Sequence, residues 1–217
     1  MKITFIGDVH GKVDILLPLL ERRCQESDLI LQVGDLGLGF RNVNLPILSE
    51  DFGFIRGNHD SPDLCRMHPN YAGEFGMWNG VFVVSGAYSM DWQWRTPGVS
   101  WWPNEELTIE QGYKALEAYE AAEPRIVASH EAPQQVGEAL LRDGGFRPEK
   151  WGSTSRRTAQ LLQRMYEVHQ PEYWFFGHYH RDWYRLVGNT QFHCLNELSV
   201  HHLTLEDTHG TNPVSKP

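Results

Sequence analysis

A chain of 217 residues, 41 % hydrophobic and 22 % charged, has room for one substantial core and the composition of an ordinary globular protein. The formal charge is −9 and no Lys/Arg run relieves it, which argues against long nucleic acid as a partner because phosphate contacts dominate that affinity. Three scattered cysteines, Cys24, Cys65 and Cys194, with no C-x-x-C pair exclude a disulfide framework and a structural zinc knuckle; no apolar stretch is long enough for a signal peptide or a membrane span, so a cytoplasmic location is expected.

In chain order, residues 2–7 form a short apolar run ending at Gly7, and helical spacing follows over 11–24. Leu29–Val33 is a second apolar run, closed by Gly34-Asp35. A third, Phe52–Ile55, leads into Arg56-Gly57-Asn58-His59-Asp60, and a fourth is Val81–Val84. Residues 85–106 carry Trp92, Trp94, Trp101 and Trp102 among Pro and Gly without a helical period. They predict an ordered loop whose indoles either wall a substrate by stacking on a base or anchor the loop to the body. Pro103-Asn104-Glu105-Glu106 reads as the start of a helix over 105–121, with acids in its first turn. Arg125–Ser129 is a fifth strand ending at His130, with helices expected over 133–142 and 154–169. A sixth strand, Tyr173–Phe176, runs into Gly177-His178-Tyr179-His180. Residues 182–205 suggest three short strands with a turn at Gly188-Asn189, an antiparallel closing portion of sheet. One domain over 1–207 and a polar tail over 208–217 complete the expectation.

These strands are continuous rather than alternating apolar runs, as in α/β folds whose sheets are covered on both faces. Ligand sites in such folds lie beyond the carboxyl ends of the strands. The polar residues at those ends are Asp8, His10, Asp35, Asn58, His59, Asp60, His130, His178 and His180. Carboxylates, imidazoles and an amide oxygen are donors suited to Mn, Fe or Zn. In Asp8-x-His10 and His178-x-His180 the paired side chains of an extended segment point the same way, so each pair can serve one ion.

Gly7-Asp8-Val9-His10, Gly34-Asp35, Gly57-Asn58-His59-Asp60, His130 and Gly177-His178-Tyr179-His180, in this order, together resemble the signature of the calcineurin-like metallophosphoesterase superfamily. The resemblance implies a four-layer α/β sandwich of two β-sheets flanked by helices. It also implies two divalent ions, Mn²⁺ foremost with Fe, Zn or Ni as alternatives. Asp8, His10, Asp35 and His180 would hold the first, and Asp35, Asn58, His130 and His178 the second, with Asp35 bridging. A hydroxide between the ions would attack the phosphorus, while His59 would bind a phosphoryl oxygen and protonate the leaving alkoxide.

One departure from the protein-phosphatase branch is informative. That branch has an Asp-Arg pair shortly after Gly-Asp, whereas this chain runs Gly34-Asp35-Leu36-Gly37-Leu38-Gly39-Phe40. Phosphoproteins are thereby disfavoured as substrates, and a phosphate contact must come from Arg41, Arg56 or Arg95, with Arg95 the first choice. The expected substrate is a small phosphate ester, a nucleotide-type diester or monoester. A metal-dependent nuclease is the alternative, and a non-catalytic scaffold is disfavoured because all nine strand-end residues are retained.

Overall fold

The computed structural model describes residues 1–40, 43–147 and 156–205; Arg41, the start of the helix expected from 154, and the tail expected over 208–217 lie outside the described residues. Two sheets form the centre. The smaller contains β1 (Lys2–Ile6), β2 (Leu29–Gln32), β3 (Phe52–Phe54) and β10 (Val200–Thr204), in the order β10-β1-β2-β3. The larger contains β4 (Phe75–Trp78), β5 (Val81–Val84), β6 (Ile126–Ser129), β7 (Tyr173–Phe176), β8 (Trp183–Val187) and β9 (Thr190–Cys194), in the order β4-β5-β6-β7-β9-β8. β1, β2 and β3 pair parallel, as do β5, β6, β7 and β9.

Parallel strands need helical crossovers, and the helices then cover the outer faces. α1 (Val13–Arg23) and α2 (Pro62–Met67) pack on the small sheet through Ile6, Leu16, Phe52, Phe54 and Cys65. α3 (Ile109–Ala122), α4 (Gln134–Asp143) and α5 (Arg157–Val168) pack on the large sheet through Phe82, Tyr119, Leu140, Leu162 and Trp174. Between the sheets lie Ile3, Phe5, Leu31, Val83, Ala128 and Phe175. Phe5 of β1 stacks on Phe175 of β7 with centroids 3.8 Å apart, so the two sheets meet through the faces that alternation along each strand turns inward. The result is the expected α/β sandwich of four layers.

Several boundaries differ from the expectation. Residues 105–108 are not helical. Thr108 caps α3 with a reciprocal Gln111 capping box, and the buried acids before it serve elsewhere: Glu105 accepts from Ser89 and Glu106 from the Thr158 backbone N–H. The run over 182–205 divides between the sheets. β8 and β9 make a hairpin on the large sheet, while β10 crosses to pair antiparallel with β1. β4 and α2 were not anticipated, although Asn79-Gly80 turns β4 into β5 and Ser61-Pro62-Asp63 opens α2. All three cysteines are free and buried. Among the described residues no helix is long and apolar enough to cross a membrane.

Candidate metal centre

Asp8 and His10 follow β1, Asp35 follows β2, Asn58, His59 and Asp60 follow β3, His130 follows β6, and His178 and His180 follow β7. The sandwich brings these carboxyl ends to one edge. The loops interlock through their backbones: Val9 and His10 N–H donate to the Asp35 carbonyl at 3.0 and 2.8 Å, and Leu198 N–H donates to the Asp8 carbonyl at 2.9 Å. Asp60 ties two loops together by accepting from the N–H groups of Leu36, Gly37, Leu38 and Gly57.

The side chains form two groups sharing Asp35. Ligand atoms of Asp8, His10, Asp35 and His180 all lie within 4.8 Å of one another. His10 Nε2 and His180 Nε2 are 2.8 Å apart, and His180 Nε2 is 3.1 Å from Asp8 Oδ2. In the second group His130 Nε2 lies 3.3 Å from both Asp35 Oδ1 and Asn58 Oδ1, and His178 Nδ1 lies 3.0 Å from Asn58 Oδ1. Asp8 and Asp35 are buried, yet Oδ2 of each has no hydrogen-bond partner. A buried carboxylate oxygen left orphaned is costly, and two of them facing converging imidazole nitrogens fit divalent cations.

Backbone strain marks the same residues. His10, Asp35, His178 and His180 adopt φ of 50°, 56°, 68° and 50°, the left-handed region that side-chain-bearing residues avoid. The backbone is thus not extended as expected, and His178 and His180 turn to different groups rather than serving one ion together. Gly57 is required by close approach: a Cβ there would collide with Asp35 Oδ1 and come within 2.6 Å of His130 Nε2.

Burial disfavours charge throughout, but the neighbours override it selectively. Asp35 is held well below the usual carboxylate range chiefly by His130, and His130 is pushed up to about 10 against its burial by Asp35 and Asp8. Asp8 is lowered by the imidazoles of His10 and His180, 3.7 and 3.1 Å from Oδ2, and by His130. For His178 burial prevails and lowers the pKa.

His59 sits beside the shared carboxylate, its backbone N–H donating to Asp35 Oδ1 at 2.8 Å. Its ring stands edge-on to Phe40 and His10, with centroids 4.7 and 5.0 Å away, and these contacts orient it. Arg95 Nη2 is 2.9 Å from His59 Nε2, and Asp91 pairs with that guanidinium at 2.6 Å. Burial lowers the His59 pKa to about 4, with Arg95 reinforcing it and Asp35 opposing.

Arg95 therefore reaches the site, whereas Arg56 does not. Arg56 is buried, bound to Glu74 at 2.7 Å and to the Glu105 carbonyl, so it is withdrawn as a phosphate contact. The Trp-rich segment delivers Met90, Asp91 and Arg95 to a cavity of about 400 Å³ beside Asp35, Asn58, His59, His178 and His180. Its indoles lie elsewhere: Trp102 is buried, Trp92 packs on Trp101, and Trp94 faces solvent. Burial fits Trp102 to the anchoring reading, whereas Trp92 and Trp101 pack on each other within the loop and Trp92 is exposed. Arg156 and Arg181 also line the cavity.

Sequence reasoning missed the support behind Asn58. Its Nδ2 donates to Ser89 Oγ at 3.1 Å and Ser89 in turn donates to Glu105, which leaves Oδ1 turned toward His130 and His178. Only chain reversal through the Trp-rich loop brings these residues together, so no local signal could reveal them.

A comparison with curated protein sequences finds no match. Among solved structures, a dimetal phosphatase from Danio rerio is 13 % identical, with 91 % of this chain and 88 % of that one covered at a TM-score of 0.56. The phosphopantetheinyl hydrolase of Mycobacterium tuberculosis is 12 % identical, with 97 % and 98 % covered at a TM-score of 0.52. Both likenesses establish the fold. The sequence profile of the calcineurin-like phosphoesterases matches residues 1–182, a span that takes in every strand-end residue of the centre, and the chain belongs to that family.

Proposed function

We propose that this metallophosphoesterase hydrolyses small, nucleotide-type phosphate esters at a centre of two divalent ions, Mn²⁺ foremost, with Asp35 shared between them. The observation that carries this reading is the convergence of two ligand groups on one buried carboxylate. Asp8, His10, Asp35 and His180 would hold one ion, and Asp35, Asn58, His130 and His178 the other. Such a pair supplies charge neutralisation for the phosphoryl group and a nucleophile drawn from water near neutral pH.

The remaining work falls to the chain. Arg95 takes a phosphoryl oxygen, which draws its guanidinium off His59 Nε2. Freed of Arg95 and facing the anionic phosphoryl group, Nε2 takes up a proton from solvent, and His59 hands that proton to the leaving oxygen and returns to the neutral ring. A cavity of about 400 Å³ with Arg95, Arg156 and Arg181 in its walls suits a small anionic ligand. The absence of an Asp-Arg pair after Asp35 counts against phosphoproteins.

The test is a Mn²⁺-loaded screen over aryl phosphates, nucleotide monoesters, diesters and cyclic diesters, and phosphopeptides, with Asp35→Asn alongside. Turnover of aryl and nucleotide esters is expected, with both metals weakened and turnover abolished in the variant. Efficient phosphopeptide hydrolysis with poor rates on every nucleotide ester would overturn the substrate class. Near-native activity with two bound metals in Asp35→Asn would overturn the bridge.

A further inference from the structure

The cavity beside the strand ends has two walls of different origin. The Trp-rich segment supplies one and carries Arg95, which Asp91 pairs at 2.6 Å. α4, the turn after it and the start of α5 supply the other, with Phe146 and Arg156, and Arg181 joins them from the loop that follows β7. Arg181 is seated there by a bare position. Gly144 closes α4 at φ −82°, a conformation open to any residue, yet a Cβ on it would strike the Arg181 guanidinium. The same guanidinium stands over the Phe146 ring, 5.8 Å from its centroid. A helix C-terminus and a ring face both favour a cation.

The neighbouring acids are engaged elsewhere. Asp143 pairs with Arg185 at 2.8 Å and accepts from the Trp183 indole, Glu138 pairs with Arg142, and Asp182 accepts from the Asn196 N–H. Among the described residues, neither Arg156 nor Arg181 forms an ion pair with a carboxylate. A chain of net charge −9 thus keeps two uncompensated cations in one wall of this cavity.

We propose that Arg156 and Arg181 form a second anion subsite, so that the preferred substrate is a phosphate ester whose leaving group carries a further phosphate. This deepens the small-ester reading above and rests on it. With Arg95 on the phosphoryl group that reacts, the pair on the other wall is left for a second anion. Guanidinium forks match phosphate oxygens, and two of them match a phosphate dianion better than a single carboxylate.

The test compares adenosine 3′,5′-bisphosphate with the two adenosine monophosphates as substrates of the Mn²⁺-loaded protein. The bisphosphate is expected to exceed either monophosphate about 10–100-fold in kcat/KM, as a charge-assisted hydrogen bond would give. Arg156→Ala, Arg181→Ala and Gly144→Ala, which pushes Arg181 aside, are each expected to cut that ratio toward one, chiefly through KM. Arg142→Ala removes an equal charge outside the cavity and is expected to keep the ratio.

A wild-type ratio near one, or a ratio that survives both Arg156→Ala and Arg181→Ala, overturns the subsite. So does an equal fall in Arg142→Ala, which would reduce the effect to overall charge. Where a variant fails to fold by circular dichroism, the wild-type ratio and the remaining variants decide. Hydrolysis of aryl phosphates and monophosphates without preference for the bisphosphate would sink the subsite and leave the esterase reading standing. If no ester is turned over, the esterase reading falls and calorimetry with the same nucleotides decides the subsite. Tighter binding of the bisphosphate that Arg156→Ala weakens supports it, and equal binding of all three overturns it.

Discussion

At the scale of single residues, the contact between Arg95 and His59 defines what His59 can do. A guanidinium only donates, so His59 Nε2 accepts in this arrangement, and a pKa of about 4 leaves the ring neutral at pH 7. On the proposed mechanism, proton donation by His59 depends on the substrate displacing Arg95. This gives His59→Ala a specific signature: kcat should fall about 10²–10⁴-fold on an alkoxide-leaving ester, such as a ribose phosphate, and much less on p-nitrophenyl phosphate. Metal content should stay at two ions throughout, as measured by mass spectrometry. Equal losses on both substrates with full occupancy would make His59 a phosphate-binding group instead. Of the arginines read from sequence, Arg56 adjoins Gly57-Asn58-His59-Asp60 and Arg95 lies far along the chain, yet it is Arg95 that reaches the cavity. Burial against Glu74 removes one, and the fold of a distant loop delivers the other.

At the scale of elements, the centre depends on two strand-end turns, 34–38 and 57–60, locked by one carboxylate. Asp60 Oδ1 receives two N–H groups and Oδ2 two more, which offsets the upward push that burial and Asp35 exert on its pKa. In Asp60→Asn an amide N–H₂ must face two backbone donors whichever way it turns. Leaving buried donors unsatisfied costs about 1–3 kcal/mol each, so a loss of about 3 kcal/mol is expected in urea unfolding, together with weaker Mn²⁺ binding. A variant of unchanged stability would show that the turns hold without the staple. The strand ends were legible because each apolar run hands over abruptly to Gly and a polar residue. β4 (Phe75-Gly76-Met77-Trp78) was overlooked although Asn79-Gly80, at φ 45° and 88°, is a two-residue hairpin turn that folds it back onto β5; its own residues are only half-buried and show no continuous apolar run.

At the scale of the whole molecule, the proposed ligands come from both sheets, so metal binding would be coupled to folding. A metal that binds only the native state stabilises it by mass action, so adding a chelator should lower the Tm of metal-loaded protein. The size of that drop should depend on pH through His130. Its pKa is raised in the metal-free fold to about 10 from an ordinary 6.5. That pairing with Asp35 stabilises the metal-free fold fully below the ordinary value and is lost as pH rises through about 10. Metal must displace the same proton, so the stabilisation by Mn²⁺ should be larger at pH 8 than at pH 6 in scanning calorimetry. A pH-independent gain would remove His130 from the ligand set.

The sequence by itself determined the continuous apolar strands, though not β4, together with their α/β character and the set of chemical groups at their carboxyl ends. Those features are local: an apolar run buries as a strand wherever it goes, and ligand types are written within two or three residues of each run's end. Tertiary structure alone decided how the last three strands divide between two sheets, which arginine faces the cavity, and which buried acids stand behind the ligands. Arg95 meets His59 across 36 residues and Tyr179 meets Glu131 across 48, separations over which no local pattern carries information. Such contacts exist only because two sheets stack through Phe5 and Phe175 and bring five strand ends to one edge. The residues holding the ligands in place are polar groups whose partners arrive with that packing.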